Sequence, residues 1–330
     1  MHCSSHFLLV WVLCLVLLET GCESKSPSLC LDSHVPLVEI SEVANPLGLH
    51  DSPRFRLLYD GDTAWAQHIA ELLESSATDF YRSFSHMNVE LDPVPAPLTW
   101  ICFNDADAFR SYASSADRMK GTGLDAYYSA RTNRVAMLRK SDDQARTGTG
   151  YGWNSSTGLH AVDEAYSLRH ADAVRVMHEV AHQLAFNTGL QKRGVTYPMW
   201  ATEGLATNFE TGRLPIVATE PGNPRSKRLM EIRQSGRLIP LHDLVAMTRV
   251  ESPHNSHDVY AQAWGLFRML HLRHGESLMA YFEDMRRYPT GRGDTRKLRD
   301  QFVKSFGPME DMQRQWDDFL AELAGFGRPS

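Results

Sequence analysis

The chain has 330 residues, 42% of them hydrophobic and 22% charged, with a formal net charge of -6. That length and apolar content suit one large or two moderate globular domains able to bury a core. The slightly acidic balance lacks the basic footprint of a nucleic-acid binder, and no run of like charges marks an interaction tail.

At the N-terminus, Phe7–Leu18 (FLLVWVLCLVLL) is an unbroken apolar run of twelve residues. A spanning helix needs about 20, so the run suits the apolar core of an export signal. ETGC follows, ending at Cys22, and resembles the lipobox of bacterial lipoproteins. It departs from that pattern at Glu19, where an aliphatic residue is usual, and no Lys or Arg precedes the run. Residues 1–22 are therefore expected to direct export to the cell envelope or periplasm. A lipid anchor at Cys22 would be the only membrane contact, and an ordinary cleaved signal is the alternative. Of the other cysteines, Cys3 and Cys14 fall in the signal, while Cys30 and Cys102 are left to pair in an oxidising compartment or to stay free.

Residues 23–50, rich in Ser, Pro and Asn without a clear period, read as a linker to a single domain over 51–330. Arg54–Gly61 alternates as a strand, and helical spacing from Thr63 to Met87 ends at the turn DPVPAP. Leu98–Phe103 is a second strand, followed by a short helix to about Asp117 capped by Asn104 or Asp105. Ala126–Ser129 and Arg134–Leu138 form a hairpin about a turn at Arg131–Asn133. This α/β part (51–140) gives way to a Gly-, Ser- and Thr-rich loop (141–165) and a mainly helical part (166–330). Strands first and helices later predict an α+β fold.

Within the helix predicted over Ala171–Asn187 stands HEVAH. His178 and His182 lie about 40° apart and one turn apart, so both imidazoles can reach one zinc ion at about 2.0–2.1 Å. Glu179, the next residue round, can sit beside the metal without binding it and take a proton from water. Ala173, Met177, Val180 and Leu184 make the apolar stripe, and the histidines lie away from its centre. A catalytic zinc takes three protein ligands and keeps an open position. A second helix, PMWATEGLATNFE from Pro198 to Glu210, buries Ala201, Leu205 and Phe209 and turns Glu203 and Thr207 another way. Packed against the first helix, it offers Glu203 as third ligand, giving one zinc per chain.

HEVAHQ followed by WATEGLA resembles the gluzincin metallopeptidases, and W-x-x-E-G-x-A is similar to the third-ligand helix of the zinc aminopeptidases. With FNTGL, ATNFE and YAQAW, the likeness over about residues 120–270 is closer still to poorly characterised bacterial secreted peptidase-like proteins. The resemblance implies a zincin-like fold: a small mixed sheet with an edge strand over the HExxH helix, then a mostly helical part. It implies zinc at His178, His182 and Glu203, Glu179 as general base, and a peptide or protein substrate. It places the edge strand at Arg134–Leu138, with an internal strand as the equal alternative. It gives Tyr260, fifty-seven residues after Glu203, the role of oxyanion donor, with His257 and then His254 as competitors and a buried helix-start aromatic as the plain alternative. The aminopeptidase G-x-M-E-N segment and the thermolysin N-A-F-W segment have no counterpart, and Asn208 stands where many relatives have tyrosine.

Metal-bound histidines usually pass their second nitrogen to a carboxylate or carbonyl; Asp172, Asp163 and Glu210 are the candidates. His160 and His170 read as loop or surface residues. Glu276–Tyr288 and Met309–Gly325 are amphipathic and read as core helices closing one wall of the cleft. The expected function is a zinc metallohydrolase, a peptidase, with a peptidase-like binding or scaffold protein that has lost turnover as the alternative.

Overall fold

The computed structural model describes residues 37–38, 40, 43–119, 123–139, 164–217, 223–291 and 293–325, with the backbone alone for 37–38 and 164–171. The expected signal and its Cys22 anchor, Cys30, and the 141–165 loop up to residue 163 lie outside the described residues.

The fold is α+β, with a six-stranded mixed sheet in the order β1-β2-β3-β4-β6-β5. The strands are β1 (Leu37–Val38), β2 (Leu47–Asp51), β3 (Phe55–Tyr59), β4 (Leu98–Phe103), β5 (Ala126–Ser129) and β6 (Arg134–Leu138). β3, β4 and β6 run parallel, while β1, β2 and β5 join antiparallel at the two sides. Helix α1 (Thr63–Ser85) connects β3 to β4, with Asp62 capping Ala64 N–H at 2.9 Å. Helix α2 (Ala106–Ser115), capped by Asp105, precedes the hairpin.

Strand alternation sends successive side chains to opposite faces. Trp100, Cys102, Val135 and Met137 face one core, shared with α1 and with α3 (Glu164–Asn187); Ile101, Phe103, Ala136 and Leu138 face a smaller core under α2. Cys102 is buried in β4 and free, so burial as well as position keeps it from the surface.

Two expectations are corrected here. Part of the stretch read as linker, Leu37–Val38 and Leu47–Asp51, belongs to the sheet. Its period was obscured because Gly48 interrupts the strand: a Cβ there would lie 2.7 Å from the ring of Tyr59, its cross-strand partner. The free edge beside the hairpin is β5, not Arg134–Leu138, because β6 lies between β4 and β5. The chain order of a hairpin does not say which strand faces inward; pairing of β6 with β4 decides it.

The mainly helical part contains α4 (Met199–Phe209), α5 (Pro224–Gln234), the single turn α6 (Leu241–Leu244), α7 (Ser256–Arg273), α8 (Gly275–Arg286), α9 (Thr295–Phe306) and α10 (Met309–Gly325). Met312, Trp316, Phe319 and Leu323 of α10 are buried, as their spacing implies. Among the described residues no helix is long and apolar enough to cross a membrane.

Helices α4 and α7 pack with their backbones close. Asn208 donates to Trp264 O at 2.9 Å and to Gly204 O at 2.7 Å, so this residue ties the two helices together. Gly204, next to Glu203, faces α7 at a point where a Cβ would lie 2.6 Å from Ala263 O. Gly204→Ala is therefore expected to destabilise the fold by about 1–3 kcal/mol through overpacking. Urea denaturation should show it as a lower midpoint with an unchanged slope.

Candidate metal centre

Helix α3 carries the HEVAH segment through the middle of the molecule. Val176, Val180, Ala181, Leu184 and Ala185 are fully buried, whereas Ala173 and Met177 of the expected stripe are only half-buried. The stripe is rotated because α3 is enclosed by the sheet and α1 on one side and by α4 on the other. Gln183 anchors the helix beneath the sheet. It accepts from Trp100 Nε1 at 2.7 Å and donates to Thr99 O and Asn133 O. Asn187 exchanges hydrogen bonds with Asn133 at 2.8 and 2.9 Å, clamping the β5–β6 turn to the helix end.

This clamp leaves His178 and His182 facing Glu203 of α4. The Nε2 atoms of His178 and His182 are 3.3 Å apart, and Glu203 Oε2 is 3.3 Å from the first and 3.5 Å from the second. Three ligands about 2.0–2.1 Å from a tetrahedral ion stand about 3.3–3.4 Å from one another, so the triangle has the dimensions of a metal site. The chemistry of the donors agrees. Glu203 Oε2 is buried and makes no aligned hydrogen bond. A buried carboxylate oxygen without a donor is costly unless a cation meets it. Among the described residues these are the side chains grouped closely enough to hold an ion.

The charges point the same way. Burial disfavours charge on His178, yet the Glu203 and Glu210 carboxylates outweigh it and push its pKa up to about 10. Burial would raise Glu203, but His182 and His178 hold it well below the usual carboxylate range. The side chains by themselves thus draw positive charge into the triangle.

Of the three carboxylates considered for the second nitrogen, the structure selects Glu210, at the C-terminal end of α4. His178 Nδ1 lies 3.0 Å from Glu210 Oε1, an arrangement in which the ring donates and turns the Nε2 lone pair toward the triangle. Asp172 is engaged instead by Trp65 Nε1 and Arg175. Asp163, His160 and the side chain of His170 lie outside the described residues.

Arg225 of α5, which carries no motif and escaped the sequence reading, holds Glu210 with Nη2 at 2.7 Å and Nε at 3.3 Å. Arg225 and His178 hold the Glu210 carboxyl below its usual range against the opposing effect of burial. Partners of this kind typically contribute 10–100-fold in metal affinity. Glu210→Gln is accordingly expected to weaken metal binding by about that factor while keeping one ion per chain, as measured by competition with a chromogenic chelator.

Glu179 is 8% exposed, beside the triangle, and its carboxylate also feels the Tyr128 backbone of β5. Burial raises its pKa, opposed by His178 and His182. Leu138 N–H donates to Asp125 O at 2.7 Å. By the two-residue alternation of an antiparallel ladder, Tyr127 also bonds inward, and Ala126 and Tyr128 turn their backbone groups to the free edge.

Tyr260, in the second turn of α7, is brought to the site. Its ring stacks on His178 with centroids 6.4 Å apart, and the Arg225 guanidinium lies 5.9 Å from its centroid. His257 is exposed in the first turn of α7, and His254 precedes that helix.

A family model described as a protein of unknown function, DUF1570, matches residues 172–290. The matched stretch contains His178, Glu179, His182, Glu203, Glu210, Arg225 and Tyr260. No curated protein matches the chain.

Proposed function

We propose that this chain is a zinc-dependent metallohydrolase of gluzincin type, acting on peptides. The observation that carries the reading is the triangle of His178 Nε2, His182 Nε2 and Glu203 Oε2, with edges of 3.3–3.5 Å and the spare carboxylate of Glu179 beside it. Two imidazoles and one carboxylate suit zinc, and three protein ligands leave room for water or substrate. When bound there, zinc would lower the pKa of water and polarise the scissile carbonyl.

The chain's own residues would do the rest. Glu179 would take the proton of the attacking water and return it to the leaving amine, the usual division of labour for a positioned carboxylate. Glu210, held by Arg225, orients the His178 ring. The Ala126 backbone groups and the Tyr128 carbonyl, which face the free edge of β5, would hold an extended peptide by strand addition, so that its carbonyl lies over the triangle. Tyr260 would donate to the oxygen on which charge develops. With the HEVAH helix under an antiparallel edge strand, the architecture suits the zincin-like reading. The apolar run before Cys22 keeps export and lipid anchoring as part of the proposal.

Tyr260→Phe tests the donor role. Loss of one such donor costs roughly 3 kcal/mol, or about 10²–10³-fold in kcat. KM and metal content should hardly change. A variant with wild-type kcat would remove Tyr260 from the mechanism and turn attention to His257.

A further inference from the structure

A cleft of about 610 Å³ opens beside the end of α3, lined by Phe186, Lys192, Arg193, Glu283, Arg286 and Arg287 among others. Its charge is lopsided. Glu283 is committed to Arg287 in an ion pair. Arg286 donates to the backbone oxygen of Gly189 rather than to a carboxylate. Lys192 and Arg193 are exposed, and among the described residues no carboxylate pairs with either. The Asp92 carboxylate sits against Gly189 near Arg286, so Lys192 and Arg193 carry the cleft's uncompensated positive charge among the described residues.

Its position links it to the metal triangle through a single residue. The Tyr128 backbone lies near the Glu179 carboxylate, while its ring stacks on Phe186 with centroids 5.7 Å apart and an interplanar angle of 20°. Phe186 follows His182 by four residues and His178 by eight on the same helix. At 1.5 Å per residue it lies about 6–12 Å along the axis from the ligands. An extended peptide advances about 3.3 Å per residue, so that distance is about two to four residues of a chain laid on β5.

We propose that this cleft is an anion subsite, receiving a carboxylate of an extended peptide bound along the free edge of β5, about two to four residues from the bond that is cleaved. The inference rests on the peptidase reading for the path of the peptide. The carboxylate can come from an aspartate or glutamate side chain or from the peptide's own C-terminus, and the cations would recognise either by charge-assisted hydrogen bonds.

Binding to the Glu179→Gln protein tests this without turnover. The probes are dansylated alanine-based hexapeptides with glutamate or glutamine at each position in turn, each made as free acid and as amide. One placement of carboxylate should bind about tenfold more tightly than its neutral counterpart. That gain should shrink with added salt and disappear in Arg193→Glu and Lys192→Glu, with metal content unchanged. Arg110→Glu, on the helix covering the opposite face of the sheet, should keep it. A gain in amidated peptides identifies an acidic side chain, and a gain confined to free acids identifies the terminus. Affinity indifferent to carboxylate, absent binding, or selectivity that survives Arg193→Glu overturns the subsite. Cleavage of the same peptides by the wild type separates the two ideas. Selective binding without cleavage defeats the hydrolase and keeps the subsite; cleavage without selectivity does the reverse.

Discussion

Replacing Glu179 by glutamine is expected to leave one zinc ion per chain and to lower kcat for peptide hydrolysis by about 10²–10⁴-fold, the usual contribution of a positioned general base. The substitution keeps the shape of the side chain and leaves an oxygen to face the Tyr128 backbone. What it removes is the ability to take a proton. Glu179 is not part of the triangle formed by His178, His182 and Glu203, so metal binding has no reason to change. Two measurements on one sample decide the matter: metal analysis, and mass-spectrometric reading of a peptide library. Unaltered turnover removes Glu179 from the chemistry. Loss of metal together with turnover places Glu179 in the ligand set instead. A wild type that holds zinc and cleaves nothing favours the binding or scaffold alternative.

The second large effect is expected from His182→Ala. Structural zinc sites with four ligands have apparent binding free energies of about 10–16 kcal/mol, or about 2.5–4 kcal/mol per ligand. Loss of one ligand should weaken binding roughly 10²–10³-fold. The consequence extends to stability. A ligand that binds the folded state adds RT ln(1 + [L]/Kd), about 4.1 kcal/mol at a thousandfold excess over Kd. Wild-type protein should therefore melt at a higher temperature with micromolar zinc than with chelator, and His182→Ala should show almost no zinc-dependent shift. Glu203→Gln, which keeps the side-chain volume, guards against misreading a folding defect as a binding defect. Equal zinc-dependent shifts in all three proteins would falsify the proposed triangle.

The local parts of this site were legible along the chain because they obey a period. Spacing of four on a helix puts His178 and His182 one turn apart wherever the helix is placed. The same rule puts Ala201, Leu205 and Phe209 in the core and leaves Glu203 on a different side. Runs of strand-forming residues bounded by turns gave β4, β5 and β6 with the boundaries observed. Where a pattern is broken by one residue, the reading failed: Gly48, made necessary by the Tyr59 ring, hid β2 inside an expected linker.

The residues that complete the site have no period to betray them. Glu210 was one carboxylate among three with equal claim, and only the packing of α4 on α3 brings it 3.0 Å from His178 Nδ1. Arg225 lies in an unremarkable segment, NPRSKR, and gains meaning only where α5 delivers it to Glu210 and Tyr260. The free edge passed from Arg134–Leu138 to Ala126–Ser129 because β6 found a parallel partner in β4. Sequence alone determined which side chains share a face of an element, since backbone geometry repeats every few residues. Which faces meet was left to the tertiary structure, since that depends on how distant segments share one core.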